Sequence, residues 1–335
     1  MGMRVLVARL DNAGDVLLSG PCVRAVAAGA ESVTMLAGPR GRAAAELLPG
    51  VDDVIEWCAP WIDPEPPPVT AEYTKTLRDR VTGFDAALVV TSFHQSPLPL
   101  ALILRECGVP WIGAISDDYP GSLLDLRHRV HGDPPEAERA LALAEAAGFA
   151  LPPGDDGRLA VRGPLPDVSE VAGDPGYVVV HPAASVPARE WPAAQCAEAV
   201  RMLTGDGYRV VVTGGPADKE LTARVAGEYA LDLAGRTDLS QLAAVLSGAS
   251  VLVAPNTGPA HLAAAVGTPV VSLFAPVVPA ARWAPYGVPV VLLGDQEAPC
   301  RDTRARRCPV PGHPCLAGVT PDEVRQAVEK LGGAA

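Results

Sequence analysis

A chain of 335 residues is longer than one ordinary α/β domain and, at roughly 150 residues per domain, divides into about two. Hydrophobic residues make up 48% and charged residues 20%, with a mean hydropathy of +0.19, which excludes disorder and favours packed, nearly all-apolar strands. A formal net charge of −12 and a pI near 5.0 exclude a broad nucleic-acid footprint, because phosphate binding needs a basic face.

The start, Met1-Gly2-Met3-Arg4, lacks the apolar core of a signal peptide, and no uninterrupted apolar run approaches the roughly 18 residues of a membrane span. A cytoplasmic chain with at most peripheral membrane contact is expected. The first half then reads as strand Arg4–Leu10, a glycine turn Asp11-Asn12-Ala13-Gly14-Asp15, and a helix running to about Ala28. Further strands are predicted at Ser32–Leu36, Asp53–Glu56, Ala86–Val90 and Val109–Ile112, with helices near Gly41–Leu48, Ala71–Val81 and Leu98–Glu106. Alternation of this kind predicts a doubly wound parallel sheet. The proline-rich stretch Ala59–Pro68 can continue neither a helix nor a central strand, and is expected as an exposed loop.

A helix at Pro135–Ala147 precedes Gly148 to Gly176, a Pro-, Gly- and Asp-rich segment that reads as the interdomain linker. Alternation restarts with strand Tyr177–Val180, helix Trp191–Leu203, strand Tyr208–Val212, helix Pro216–Tyr229, a short strand Leu231–Leu233 and helix Leu239–Leu246. Strand Ser250–Val253, helix Gly258–Val266, and strands Pro269–Leu273 and Val288–Leu293 complete it. The expected organisation is an N-terminal domain over 1–170 and a C-terminal domain over 171–335, each Rossmann-like, facing across a cleft that is the natural active site. The last helix is a candidate to pack back on the first domain.

Ligands of open parallel sheets gather beyond the carboxyl ends of strands, so the strand-to-helix turns carry the chemistry. At Asn256-Thr257-Gly258-Pro259-Ala260-His261 a strand ends, and free amides at the next helix start, the Thr257 hydroxyl and the dipole make an anion site, with His261 as a further donor. A plain helix cap by Asn256 or Thr257, with His261 in the core, fits equally well. The turn from His181 through Ser185 to Arg189 and Trp191 falls on the same sheet edge; Arg189 is placed to neutralise a leaving diphosphate, or is a solvated arginine beside Glu190. In the N-terminal turn, Gly14 allows a tight bend and Asp15 opens the helix, as a base for an attacking hydroxyl or as a carboxylate favoured there by the dipole. Thr213-Gly214-Gly215-Pro216 borders a nucleotide or is a simple tight turn.

Walker, G-x-G-x-x-G, H-E-x-x-H and G-x-S-x-G signatures are absent, which argues against kinase, dehydrogenase, metalloprotease and lipase readings. Seven cysteines read as reduced thiols, and the spacing of Cys300, Cys308 and Cys315 is not the paired C-x-x-C of a structural zinc site, so bracing of a loop is expected and no metal.

Taken in order, Ala13-Gly14-Asp15-Val16-Leu17-Leu18, the turn from His181-Pro182 to Arg189-Glu190-Trp191-Pro192, Thr213-Gly214-Gly215-Pro216, Asn256-Thr257-Gly258-Pro259-Ala260-His261 and the three-cysteine tail resemble glycosyltransferase family 9, the heptosyltransferase family, over nearly the whole chain. The resemblance implies the two-domain GT-B fold, an inverting, metal-independent transferase without cofactor, and a nucleotide-sugar donor such as ADP-heptose. It also implies a glycan, lipopolysaccharide-core-like or natural-product acceptor. Asp15 matches the family's proposed base and Arg189 the residue assisting the departing diphosphate. Ser185, Thr213, Gly214, Asn256, Thr257, Gly258 and His261 fall on the donor side; Asn12 and Gly14 fall on the acceptor side. The chain departs from the pattern with Asn256 where relatives carry aspartate, and with Ala275-Pro276-Val277-Val278-Pro279 where they often carry Gly-Pro-Thr-Asp-Pro. Rival readings are a nucleotide-sugar epimerase or hydrolase on the same plan, and a non-catalytic nucleotide-sugar binding protein.

Overall fold

The computed structural model describes residues 2–332; Met1 and positions 333–335, the outer ends of the two expected domains, lie outside the described residues. The chain separates into two compact units, Met1–Arg162 and Gly163–Ala335. In the first, strands β1 (Arg4–Arg9), β2 (Ser32–Ala37), β3 (Asp53–Glu56), β4 (Ala86–Val89), β5 (Trp111–Ile115) and β6 (Leu126–His128) form one parallel sheet in the order β3-β2-β1-β4-β5-β6. In the second, β7 (Tyr177–Val180), β8 (Val210–Val212), β9 (Leu231–Asp232), β10 (Ala249–Pro255), β11 (Val270–Leu273) and β12 (Val290–Leu293) form another, in the order β12-β11-β10-β7-β8-β9.

The central strands are apolar on both faces because helices cover both faces. In β1, Val5, Leu6 and Val7 have no exposed surface, and in β7 and β8 neither do Val178, Val179 and Val211. Each such valine contributes about 1.5–2 kcal/mol of burial free energy, so these strands are anchored firmly enough to aim the loops that leave them. In both sheets the winding reverses beside the first strand, between β1 and β4 and between β7 and β10. Register places Ala8 opposite Val89 and Val180 opposite Val253, so the paired loops leave each sheet at one level. These two reversal points are where an open α/β sheet binds ligands.

Several elements differ from expectation for local reasons. The first helix is two, Ala13–Leu18 and Gly20–Gly29, because Pro21 lacks the amide and sterically opposes the carbonyl a continuous helix would need; Ser19 fills the break and its Oγ donates to the Val16 carbonyl at 2.6 Å. The expected helix Pro216–Tyr229 is a 3₁₀ turn, Pro216–Asp218, followed by an α-helix, Lys219–Ala226. Trp191 lies outside its helix, which is Ala193–Gly205, and is a buried anchor whose Nε1 donates to the Val319 carbonyl. The strand expected at Val109–Ile112 starts after Pro110, and β6 has no apolar run to announce it. Within Gly148–Gly176, Asp155 accepts a bidentate pair from Arg24, and Arg162 donates to the Leu48 carbonyl, so the early part is a strap on the first unit. The last helix, Pro321–Gly332, packs on helix Ala193–Gly205 and on β10.

The proline-rich stretch is exposed only in part. Ala59 is buried, Trp61 and Ile62 are half-buried, and Trp57 stacks on Tyr73 at 5.3 Å and meets Trp61 at 5.5 Å between ring centroids. All seven cysteines are free; Cys300 and Cys315 are buried, and burial together with the neighbouring thiol pushes Cys315 up to about 12. Among the described residues no helix is long and apolar enough to cross a membrane.

Candidate active site

At the β1/β4 reversal, a buried arginine ends β1, whose interior residues Val5–Ala8 are all apolar. Arg9 is 1% exposed, and its guanidinium meets Asp11 at 2.8 Å, Asp15 at 3.2 Å and Glu136 at 3.4 Å. Burial alone would lower its pKa, but the three carboxylates overcome that and raise it, so Arg9 is a permanent cation. Arg139 pairs with Glu136 at 3.4 Å and donates to the Thr91 carbonyl in the loop just beyond β4, so one network reaches the chain after both strands. Burial pushes the Asp11 carboxyl above its ordinary range against the pull of Arg9, and Gln95 donates an amide hydrogen to it.

Asp15 stands at the third position of helix Ala13–Leu18. One carboxylate oxygen accepts from Arg9 and the other from the Asn12 amide at 3.3 Å, while the side chain keeps 18% of its surface exposed. It is thus oriented from two sides and still open to solvent on a third. Asn12 is exposed and Gly14 buried. The loop after β2 closes over this turn: a Cβ on Gly38 would stand 2.5 Å from the Leu10 carbonyl oxygen, so only glycine allows the approach.

The β7/β10 reversal holds the second constellation. Arg189 ends the 3₁₀ turn Pro187–Arg189, and its Nη1 donates to the Asn256 carbonyl at 3.3 Å, bridging the two strand ends. Helix Gly258–Ala265 begins at Thr257, which makes no side-chain capping bond, with Pro259 in the first turn. The simple-cap reading of this turn therefore lacks its hydrogen bond. Asn256 is 5% exposed and neither polar atom of its side-chain amide has a hydrogen-bond partner; His261 is 7% exposed and its Nδ1 has none. A buried unpaired amide or ring nitrogen costs about 1–3 kcal/mol, a cost that a polar ligand removes. Burial, and then the Arg189 charge, lower His261 to about 4, so at neutral pH it offers a neutral imidazole.

His181, the first residue after β7, is also pushed to about 4 by burial, and its Nδ1 lies 3.0 Å from the Thr213 hydroxyl. Thr213 is thereby engaged inside the fold. A Cβ on Gly214 would stand 2.8 Å from Thr222 Cγ2 and 3.0 Å from Asp218 Cβ, so that glycine serves helix packing. Ser185 is exposed on the loop, and Thr257 and Gly258 are half-buried at the helix start. Val277 and Val278, in the segment that departs from the family pattern, are buried. Among the described residues no group of three or more His, Cys, Asp or Glu side chains has the geometry to hold a metal.

The structure thus gathers Arg189, Asn256, Thr257, Gly258 and His261 in the second unit, and Asn12, Gly14 and Asp15 in the first. Reading the residues alone missed Arg9, Asp11, Gln95, Glu136 and Arg139. A lone arginine within the otherwise apolar run Val5–Leu10, with an aspartate two residues on, was the available signal, since a buried charge demands partners.

Residues 74–313 match the family described as Glycosyltransferase family 9 (heptosyltransferase). Lipopolysaccharide heptosyltransferase 3 of Escherichia coli is 33% identical over 166 residues, covering 46% of each chain, so this chain spans about half the length of that relative in the match. Lipopolysaccharide heptosyltransferase 1 of Salmonella typhimurium is 26% identical over 299 residues, 83% of this chain and 90% of the relative. An E. coli heptosyltransferase solved with ADP-2-deoxy-2-fluoro heptose superposes with a TM-score of 0.73 at 22% identity, over 98% of this chain and 99% of that one, and shares the fold.

Proposed function

Because the chain belongs to glycosyltransferase family 9, we propose that it transfers a sugar from a nucleotide-diphosphate donor to an acceptor hydroxyl, with inversion and without a metal ion. The observation that carries this reading is the convergence at the β7/β10 reversal: Arg189 bridges to the Asn256 carbonyl, beside the unpaired Asn256 amide, the unpaired His261 Nδ1 and the uncapped start of helix Gly258–Ala265. A guanidinium, aligned backbone amides and a neutral imidazole donor suit a diphosphate whose negative charge grows as the glycosidic bond breaks. Positive charge that a metal would otherwise supply comes from Arg189.

Asp15 takes the proton from the acceptor hydroxyl as its oxygen attacks the anomeric carbon. One attack, opposite the leaving diphosphate, inverts the configuration. Arg9 and the Asn12 amide hold the carboxylate in place for that transfer. An ADP-sugar, heptose or a relative of it, is the donor suggested by the nucleotide sugar named for the superposed heptosyltransferase, and a glycan or natural-product hydroxyl is the acceptor. We place the reaction in the cytoplasm, with at most peripheral membrane contact.

Thermal unfolding with ADP-, GDP-, UDP- and dTDP-sugars tests the donor half. One class should raise Tm in a concentration-dependent way, by the mass action of binding to the folded state. Equal response to all four, or to none, contradicts it.

A further inference from the structure

The segment between β12 and the last helix holds every non-glycine residue with positive φ among the described residues: Asp302 (59°), Arg304 (55°) and His313 (49°). A Cβ disfavours that conformation, which persists only where the surroundings hold it. Here the holding contacts are plain. The Asp302 amide donates to the Pro276 carbonyl at 2.9 Å, and the Arg304 amide to the Val277 carbonyl at 2.8 Å. Cys300, Cys315 and Leu316 are buried in one apolar cluster with Val277 and Ala188, so the cysteines root the segment beside the turn that carries Arg189.

Three hydrogen bonds join the segment to that turn. The Ala188 amide donates to the Arg306 carbonyl at 3.1 Å, and His313 Nε2 lies 3.1 Å from the Ala188 carbonyl. A carbonyl only accepts, so Nε2 carries the hydrogen. Beyond Arg189, Trp191 Nε1 donates to the Val319 carbonyl at 3.1 Å. Arg189 is therefore held on both sides by one segment, while its own Nη1 crosses to the Asn256 carbonyl at 3.3 Å. Arg306 and Val319 contribute backbone carbonyls to these bonds, and His313 contributes a side chain. Glycine would adopt the left-handed backbone of position 313 at less cost, but would leave the carbonyl of buried Ala188 without this donor.

We propose that His313 is a positioning residue for Arg189: by holding the Ala188 carbonyl it fixes the 3₁₀ turn from which the guanidinium meets the leaving diphosphate. The assignment rests on the transferase reading and adds to it a residue that touches neither donor nor acceptor. Its effect is geometric, since a shift of about 1 Å is enough to cost a charged group most of its catalytic worth.

Two substitutions separate the hydrogen bond from the backbone. Asparagine tolerates the left-handed conformation but its amide nitrogen is one bond short of the Nε2 position, whereas the glutamine nitrogen has the same reach. In the ligand-free full chain, amide-resolved hydrogen exchange should quicken about tenfold at Ala188 in His313→Asn and return toward wild type in His313→Gln, while β7 and β10 keep their protection. Calorimetric titration should show ADP binding about three- to tenfold more weakly to His313→Asn, with His313→Gln recovering part. In an Arg189→Ala background His313→Asn should change ADP affinity by less than about twofold, because the effect passes through Arg189. The assignment is overturned if Ala188 exchange is unchanged in His313→Asn, if exchange rises equally across β7 and β10, or if ADP is weakened as much without Arg189 as with it. Should wild type fail to bind ADP, or Arg189→Ala bind it as well as wild type, the diphosphate reading of Arg189 fails, and the exchange result alone decides whether His313 holds the turn.

Discussion

Replacing Arg9 by methionine removes the one cation that three buried or half-buried carboxylates share while roughly keeping its volume. At an effective dielectric constant of about 20, unit charges 2.8 Å apart, as for Asp11, attract by about 6 kcal/mol, and those 3.4 Å apart, as for Glu136, by about 5 kcal/mol. Desolvation of the ions offsets much of this, and deleting one partner of a buried pair costs about 3–5 kcal/mol net. Glu136 keeps Arg139, and Asp11 keeps Gln95, so the lower half of that range is expected. For a unit of this size the loss lowers Tm by about 10 °C.

The deficit should depend on pH. The Asp11 carboxyl is already raised by burial, so its contribution to stability is complete below the unfolded-chain value, about 3.9, and is lost as pH rises through the folded value. Without Arg9 the charged form loses its partner and the folded value climbs further, which makes ionisation at neutral pH costlier. Calorimetric unfolding of wild type and Arg9→Met between pH 5 and 7 should show the gap widening toward pH 7. A gap below about 1 kcal/mol, or one constant across that range, would refute the network argument.

Arg189→Ala should weaken donor turnover by about 10²–10³, as removal of a charge-stabilising donor does, with Arg189→Lys recovering part; steady-state kinetics with a fixed acceptor reads both. His181 and His261 are each lowered to about 4, so the unfolded chain binds more protons than the folded one below about 6.5, and stability falls as pH drops through that window. Thermal unfolding should show a limiting slope of about 1.4 kcal/mol per pH unit for each histidine, and His181→Asn should remove one share. Gly214→Ala, which drives a methyl against Thr222 and Asp218, should cost about 1–3 kcal/mol in denaturant unfolding, and an unchanged midpoint would return Gly214 to a ligand-facing role.

The strands were legible wherever several apolar residues run together, as in Val5–Ala8 and Val178–Val180, because burial on both faces leaves no alternation to decode. The turns at Asp15, Arg189 and Asn256 were legible because strand, special residue and helix follow one another within a few positions. What stayed hidden depends on distance along the chain. Glu136 reaches Arg9 across 127 positions, and Trp61 meets Trp57, which in turn stacks on Tyr73, sixteen positions further along the chain. The break at Ser19 was readable from Gly20-Pro21 but was overridden by the helical spacing around it. Thr213 and Gly214 resembled a nucleotide-bordering turn, while their contacts are with His181, Thr222 and Asp218.

Titration of ADP-heptose into wild type and Asp15→Asn, with turnover measured on the same preparations, addresses the division of labour most directly. Donor affinity should stay within about twofold while turnover falls about 10²–10⁴, the usual worth of a general base. Turnover unchanged by the substitution, or donor affinity lost together with it, would remove Asp15 from the role of base.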